Sequence, residues 1–257
     1  MRLKHIELKN FRNYPDLSLE VTNDMVVFSG PNAVGKTNLL ESVYFSSLFK
    51  SFRDDAEFIF MRGVTNSQVK VEVEKDGDLH TLEIFLDRRE KIYANFKIDG
   101  VKTKRKDAQG FVRVVIFEPS DVDLFTKPPE SRRKYLNMVL SQKSLNYLDD
   151  VTSYKKILSQ KNKLLQGLKV NGSNSSDLDS WNEQLVTVGS RIIFERKQFI
   201  NYLNQSISEI YSAISKFNRP VEVSYESLAG ESIEEISEVF REALERVKTK
   251  ELLIATS

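Results

Sequence analysis

No cysteine occurs anywhere in the 257 residues, which removes disulfides, thiolate metal sites and cysteine nucleophiles and is compatible with a reducing compartment. Histidine is almost as scarce. His5 and His80 are the only two, they lie far apart in sequence, and without thiolates beside them they make no predicted zinc set. An excess of one charge sign is missing too: 38 Lys+Arg stand against 37 Asp+Glu, a formal charge of +1. Any affinity for nucleic acid must therefore come from local patches and not from the whole-protein field. No apolar run reaches the length of a membrane span, and the start MRLKHIELKNFRNY carries charges where a signal peptide would be continuously apolar. A soluble, cytoplasmic protein with no membrane partner is the expectation. What is present, 40% hydrophobic and 29% charged residues, suits one or two globular domains with a sizeable core.

The first hundred residues read as strands around one helix. Leu3, Ile6 and Leu8 are interrupted by charge, Leu17, Leu19 and Val21 alternate strictly, and Met25, Val26, Val27, Phe28 and Ser29 form a run that predicts a central strand. From Thr37 the spacing changes to helical, with Leu39, Leu40, Val43, Tyr44 and Leu48 on one side. Val69, Val71 and Val73, then Leu82, Ile84 and Leu86, then 92–98, predict an antiparallel meander turning at 76–78 and 87–90. The apolar run 112–117 predicts a further strand, stopped by Pro119.

Beyond Pro128 and Pro129 the composition shifts to long helical segments. Tyr147, Val151, Tyr154, Leu158 and Leu165 mark one helix; a polar stretch over 167–180 predicts a hairpin loop; Leu185, Val188, Ile192, Phe199, Leu203, Ile210, Ile214 and Phe217 mark a second helix running antiparallel to the first. Arg196 breaks one of its apolar positions. Residues 220–225 alternate as a strand, Ser232 with Glu235 forms a capping box opening a helix, and Leu252, Leu253 and Ile254 predict another strand. The division that follows is an α/β lobe over 1–127, a helical lobe over 128–219 and a return toward the first lobe over 220–257.

Chemistry is concentrated in Gly30-Pro31-Asn32-Ala33-Val34-Gly35-Lys36-Thr37, which matches G-x-x-x-x-G-K-[ST] between a run of apolar residues and a helix. Gly35 allows a backbone shape in which successive amides point at phosphate oxygens. Lys36 brings a point charge to the β and γ phosphates, Thr37 presents a hydroxyl to magnesium, and the following helix adds its positive N-terminal end. The expected ligand is ATP with Mg2+, and Thr37 is the metal residue. Hydrolysis also needs an acidic group that holds magnesium through water. Val114-Val115-Ile116-Phe117-Glu118 has the look of an apolar strand ending in such a carboxylate, although Glu stands where Asp is usual; the plainer reading is a core strand followed by a polar residue.

Basic groups cluster at Lys102, Lys104, Arg105 and Lys106, at Arg132, Arg133 and Lys134, and at Lys155 and Lys156 with Lys161 and Lys163. Each can touch phosphate without reading bases, and solvated faces look much the same.

Leu8-Lys9-Asn10-Phe11-Arg12-Asn13-Tyr14 followed by the loop and Asn38-Leu39-Leu40-Glu41 resembles the opening of the RecF family, relatives of the Rad50 and SMC heads. Lys50-Ser51-Phe52-Arg53, Phe117-Glu118-Pro119-Ser120-Asp121-Val122 and Ser131-Arg132-Arg133-Lys134-Tyr135-Leu136 resemble later blocks of that family in the same order. The resemblance implies a P-loop NTPase of ABC-ATPase type with an antiparallel β-meander and an α-helical second lobe. It implies binding of ATP and of single-stranded or gapped DNA, an ATP-dependent homodimer, RecR- and RecO-like partners in loading recombinase, and a place in DNA repair, recombination and the SOS response. It also puts Arg12 near the nucleotide phosphates, lets the Asn32 side chain assist the γ-phosphate, and makes 117–119 a family block and not a Walker B strand. A Gly-Pro-His-Arg-Asp block, an LSxGQ-like signature and a Walker B strand with paired Asp would follow the region of 252–254 in that family, and an ABC-type site without them is incomplete. Two other readings stay open: a stand-alone NTPase or kinase using Glu118, and a non-catalytic interaction module built on the helical hairpin.

Overall fold

Most of the alternating apolar residues in the first hundred positions join one sheet in the computed structural model, which describes residues 1–53, 59–171 and 176–256. In chain order the first unit, Met1–Leu145, holds β1 (Arg2–Phe11), β2 (Tyr14–Glu20), α1 (Lys36–Leu48), β3 (Asn66–Lys75), β4 (Asp78–Arg88), β5 (Ile92–Ile98), β6 (Val101–Thr103), the short α2 (Arg105–Ala108), a 3-10 helix (Pro119–Phe125) and α3 (Pro129–Lys143). The strands run β2-β1-β3-β4-β5-β6, each antiparallel to its neighbour. Register fixes which face is apolar: Leu17, Leu8, Val69, Ile84 and Phe96 stand side by side across five strands. With period two, that places every second residue in the core, where Leu8, Val69 and Ile84 are fully buried. Phe45 and Phe49 at the end of α1 complete the same core.

Helix α1 is buried around much of its girth, including Glu41, Ser42, Ser46 and Ser47. Its serines satisfy themselves locally: Ser42 Oγ donates to the Leu39 carbonyl and Ser46 Oγ to the Val43 carbonyl, both at 2.7 Å. Ser47 Oγ donates to Gln142 Oε1 at 2.8 Å, and the same oxygen accepts the Val114 N–H at 2.7 Å. Tyr44 Oη meets Met138 Sδ at 3.4 Å. These bonds tie α3 to the sheet unit, although the sequence places 128–143 in the helical lobe. Polar side chains make that attachment, so hydrophobic spacing does not display it.

The second unit, Asn146–Ser257, contains α4 (Leu145–Asn171), α5 (Ser176–Asn204), α6 (Ile207–Ser215) and α7 (Ile233–Ile254). Helices α4 and α5 are antiparallel, since early residues of one meet late residues of the other: Arg191 bonds Asp150 at 2.9 and 2.5 Å, and Arg196 Nε donates to Tyr147 Oη at 3.0 Å. The polar loop expected over 167–180 is shorter than that, because helix reaches 171 and resumes at 176; its centre, 172–175, lies outside the described residues. Arg196 breaks the apolar spacing because two tyrosine hydroxyls, Tyr147 and Tyr225, receive it at 3.0 Å each. Helix α7 opens as expected, with the Glu235 N–H donating to Ser232 Oγ at 3.1 Å. It packs on α5 within this unit, through Arg241 to Glu183 at 2.7 Å and Lys248 to Asp179 at 2.5 Å, so 233–254 belongs with the helices.

Gly189 sits inside α5 because of that packing. A Cβ there would collide with Phe240 Cε1 and lie 3.1 Å from Tyr154 Cε2. Alanine is the better helix former by ~1 kcal/mol, yet overpacking costs about 1–3 kcal/mol, so Gly189→Ala is expected to lower the denaturant midpoint of this unit. An unchanged or higher midpoint would mean that Phe240 gives way freely.

Four expected strands are corrected. Residues 25–29 and 112–117 pair with no strand among the described residues, and Met25, Val27, Val115 and Phe117 are 81%, 80%, 81% and 78% exposed. An apolar run records which side chains suit a sheet; it does not supply the neighbouring strand. Residues 220–225 likewise pair with side chains instead of a strand: Asn204 holds the N–H and carbonyl of Val223 at 2.9 Å each, and Ser208 holds those of Val221 at 2.9 and 2.8 Å. Leu252, Leu253 and Ile254 form the last turn of α7, where two leucines of good helix propensity continue the helix and Ala255, at φ 58°, closes it.

Candidate functional site

The tight turn after β1 supports the loop ahead of α1 from behind. Arg12 takes φ 54°, and the next two residues reach the loop: Asn13 Nδ2 donates to the Val34 carbonyl at 3.1 Å, and Tyr14 Oη to the Gly35 carbonyl at 3.2 Å. Gly35 is the N-cap of α1 at φ 115°. A Cβ on it would lie 2.7 and 2.9 Å from the Asn13 amide and 2.9 Å from Tyr14 Oη, so glycine is required both for the conformation and for the closeness of the hairpin.

No side chain caps α1. Its N-cap, a glycine, offers no side-chain acceptor to the first N–H groups, which stand at the positive end of the helix dipole. Lys36 Nζ folds onto the loop and donates to the carbonyls of Gly30 and Pro31 at 2.8 and 2.7 Å. Pro31, Asn32, Ala33, Val34 and Thr37 are exposed. Open amides, an ammonium and an accessible hydroxyl gathered in one turn fit a phosphate chain with a hard divalent cation.

Behind the loop, Glu41 is fully buried and binds two arginines. Arg12 grips it twice, at 2.9 and 2.6 Å, Arg53 Nη2 donates at 2.5 Å, and Ser51 Oγ at 2.5 Å. Burial pushes the Glu41 carboxyl up, and the hydrogen bonds from Arg12, Ser51 and Arg53 outweigh it, holding the group below the usual carboxylate value. The Arg12 guanidinium is thus engaged on the inner side of α1. Sequence reasoning gave no role to Asn13, Asn38, Glu41 or Arg53; the blocks Leu8 to Tyr14, Asn38 to Glu41 and Lys50 to Arg53 were the signal that held them.

The whole-chain comparisons agree with this loop and sheet. A family model described as an AAA ATPase domain matches residues 1–256. The chain is 33% identical over 249 residues to the DNA replication and repair protein RecF of Lachnoclostridium phytofermentans, covering 96% of this chain and 68% of that protein. The chain belongs to the RecF family. RecF of Oenococcus oeni is 32% identical, with 100% of this chain and 70% of that protein covered. A solved structure of the recombination mediator protein RecF with ATP, from the RecFOR pathway, superposes with a TM-score of 0.91 at 30% identity, over 100% of this chain and 69% of that one. The α/β head with a six-stranded antiparallel sheet and a helical lobe is therefore the RecF fold. This chain spans 59% to 70% of the length of the first five curated RecF relatives. No helix among the described residues is long and apolar enough to cross a membrane.

On this RecF-family head the basic residues differ in availability. Lys102, Lys104, Arg105, Lys106, Arg133 and Lys134 are exposed and Arg132 is partly buried. Arg105 lies along the Phe49 ring at 5.5 Å, Arg132 donates to the carbonyls of Phe125 and Lys127 at 3.1 and 2.8 Å, and Lys134 pairs with Glu130 at 3.0 Å. Lys161, grouped by sequence with surface lysines, is wholly buried against Glu251 at 2.9 and 2.8 Å. A buried cation of that kind offers nothing to DNA. Glu118 precedes the 3-10 helix, with its N–H on Asp121 Oδ2 at 2.8 Å, and its charge is felt at Tyr44. At 1.5 Å per residue Tyr44 is roughly 12 Å along α1 from Lys36. His5, Glu7 and Glu72 bring ligand atoms within 4.8 Å of one another, but the Lys70 ammonium already bonds Glu7 at 2.9 Å and Glu72 at 3.3 Å.

Proposed function

We propose that this chain binds ATP with magnesium through the loop from Gly30 to Thr37 and serves as the nucleotide-binding head of a RecF-type protein in DNA repair and replication-gap processing. The carrying observation is the uncapped first turn of α1, with Lys36 already drawn to the Gly30 and Pro31 carbonyls. Gly30, Pro31, Asn32, Ala33, Val34, Gly35 and Lys36 cradle the phosphates and Thr37 contributes its hydroxyl to magnesium. Arg12 acts at one remove, by fixing Glu41 on α1. Single-stranded or gapped DNA is the macromolecular ligand, with Lys102, Lys104, Arg105, Lys106, Arg132, Arg133 and Lys134 as its contacts and RecR- and RecO-like mediators as partners. Binding of that kind tolerates any sequence and weakens with salt. The similar RecF–ATP structure supports the choice of adenine nucleotide.

Residues 25–29 and 112–117, which pair with no strand among the described residues and expose Met25, Val27, Val115 and Phe117, support a head whose sheet takes up further strands. Turnover is expected to need that addition and an ATP-dependent pairing of two heads. The test is titration of the chain with ATP and magnesium beside Lys36→Ala, following binding and phosphate release together. Binding that disappears in the variant, with negligible release in both, is the expected result. Steady release by the wild type that is abolished by Glu118→Gln would overturn the assignment of 112–117 and make Glu118 the magnesium carboxylate.

A further inference from the structure

The most enclosed charge of the sheet unit lies behind the loop. The Glu41 side chain is 0% exposed, against 13% for Arg12 and 34% for Arg53. A carboxylate so placed is costly unless its oxygens are fully used, and here Arg12, Arg53 and Ser51 use them. One cation would neutralise it. A second one needs another reason, and the bonds of Arg53 supply it: its Nη2 donates at once to Glu41 Oε2 at 2.5 Å and to Asn38 Oδ1 at 2.6 Å. Asn38 Nδ2 donates in turn to Asn13 Oδ1 at 2.8 Å, and Asn13 Nδ2 to the Val34 carbonyl at 3.1 Å. An unbroken line of hydrogen bonds therefore runs from Glu41, through Arg53, Asn38 and Asn13, to the backbone of the phosphate loop.

We propose that Glu41 is a positioning residue for the phosphate loop, acting through Arg53, Asn38 and Asn13, so that affinity for a nucleoside triphosphate depends on this line of bonds. The inference rests on the nucleotide-binding reading above. Arg12 clamps the carboxylate from the hairpin side; Arg53 hands its orientation to Asn38, which stands one residue beyond Thr37 in the first turn of α1. Asn13 then fixes the Val34 carbonyl, immediately before Gly35. Loop amides held in this way meet phosphate without first having to be ordered, and preorganisation of that kind appears in affinity. The side chains form a single connected network, so removing any member disables the rest.

The experiment measures binding of ATP with magnesium by calorimetry for wild type, Glu41→Gln, Arg53→Ala, Asn13→Ala and the Arg53→Ala/Asn13→Ala double variant, with Lys36→Ala as the control. Circular dichroism fixes a temperature at which each variant is folded. Glu41→Gln keeps the volume but leaves one acceptor oxygen for four donor groups from three residues. Each single change is expected to weaken binding about tenfold, and the double variant to be no weaker than the worse single one. Effects of Arg53→Ala and Asn13→Ala that multiply in the double variant would overturn the proposal, as would wild-type affinity in either. Should Glu41→Gln not fold, that pair decides alone, because neither variant leaves a lone buried carboxylate. Wild-type binding lost in Lys36→Ala together with multiplying effects would sink this inference and leave the nucleotide reading standing. Absence of ATP binding by the wild type would overturn both.

Discussion

Lys161→Met is expected to destabilise the helical unit by about 3–5 kcal/mol, because it strands a buried carboxylate. The Lys161 and Glu251 side chains are 0% and 7% exposed, and the ammonium lies 2.9 and 2.8 Å from the two oxygens. Their attraction offsets the cost of taking both charges out of water; take away the lysine and only that cost remains. The sign reverses when both are replaced. Lys161→Met combined with Glu251→Leu exchanges the pair for apolar packing between α4 and α7, and such exchanges are commonly neutral or stabilising by about 1–4 kcal/mol. Trp181, the single tryptophan of the chain, lies in α5, so its fluorescence during urea unfolding reports this unit. A single variant within ~1 kcal/mol of wild type would mean that water reaches Glu251 and that the pair contributes no more than a surface bridge.

Gly35→Ala carries the largest expected effect on ligand binding. The residue holds φ 115° at the N-cap of α1, and an added methyl would press on the Asn13 amide and Tyr14 hydroxyl at 2.7 to 2.9 Å. Backbone strain of 1–3 kcal/mol and the loss of one or two supporting hydrogen bonds together amount to roughly 3 kcal/mol, or about 100-fold in affinity. Displacement of a fluorescent ATP analogue reads the affinity, and the urea midpoint shows whether the fold survives. Affinity within about threefold of wild type would show that the loop relaxes around the methyl and that the hairpin contact is dispensable; by comparison a full hydrogen bond is worth more.

Much of the sheet was legible because its two faces differ. Val69, Val71 and Val73 on β3, and Leu82, Ile84 and Leu86 on β4, announce both the strands and their buried side, and the turns at Asp76-Gly77 follow from residues that accept positive φ. The phosphate loop was legible for a different reason: its chemistry demands fixed residue types at fixed spacing. The bonds behind it were not. Asn13, Asn38, Glu41 and Arg53 are polar residues whose significance lies in who meets whom, and Arg12 meets Glu41 across 29 positions. Strand identity failed where pairing, and not apolarity, decides: residues 25–29 have a suitable pattern and no partner among the described residues. Leu252, Leu253 and Ile254 failed from brevity, because three apolar residues in a row carry no period.

Met25, Val27, Val115 and Phe117, each about four-fifths exposed on segments that pair with no strand among the described residues, also govern how the molecule behaves in a tube. Exposed apolar chain without a paired strand is a template for any other strand it encounters, and natural edges are ordinarily blunted by lysine, proline or a covering element. Colloidal lifetime is then a matter of protein concentration more than of heat: two copies that collide along these segments have the means to zip together, while a polypeptide that supplies the missing neighbours keeps each copy monodisperse.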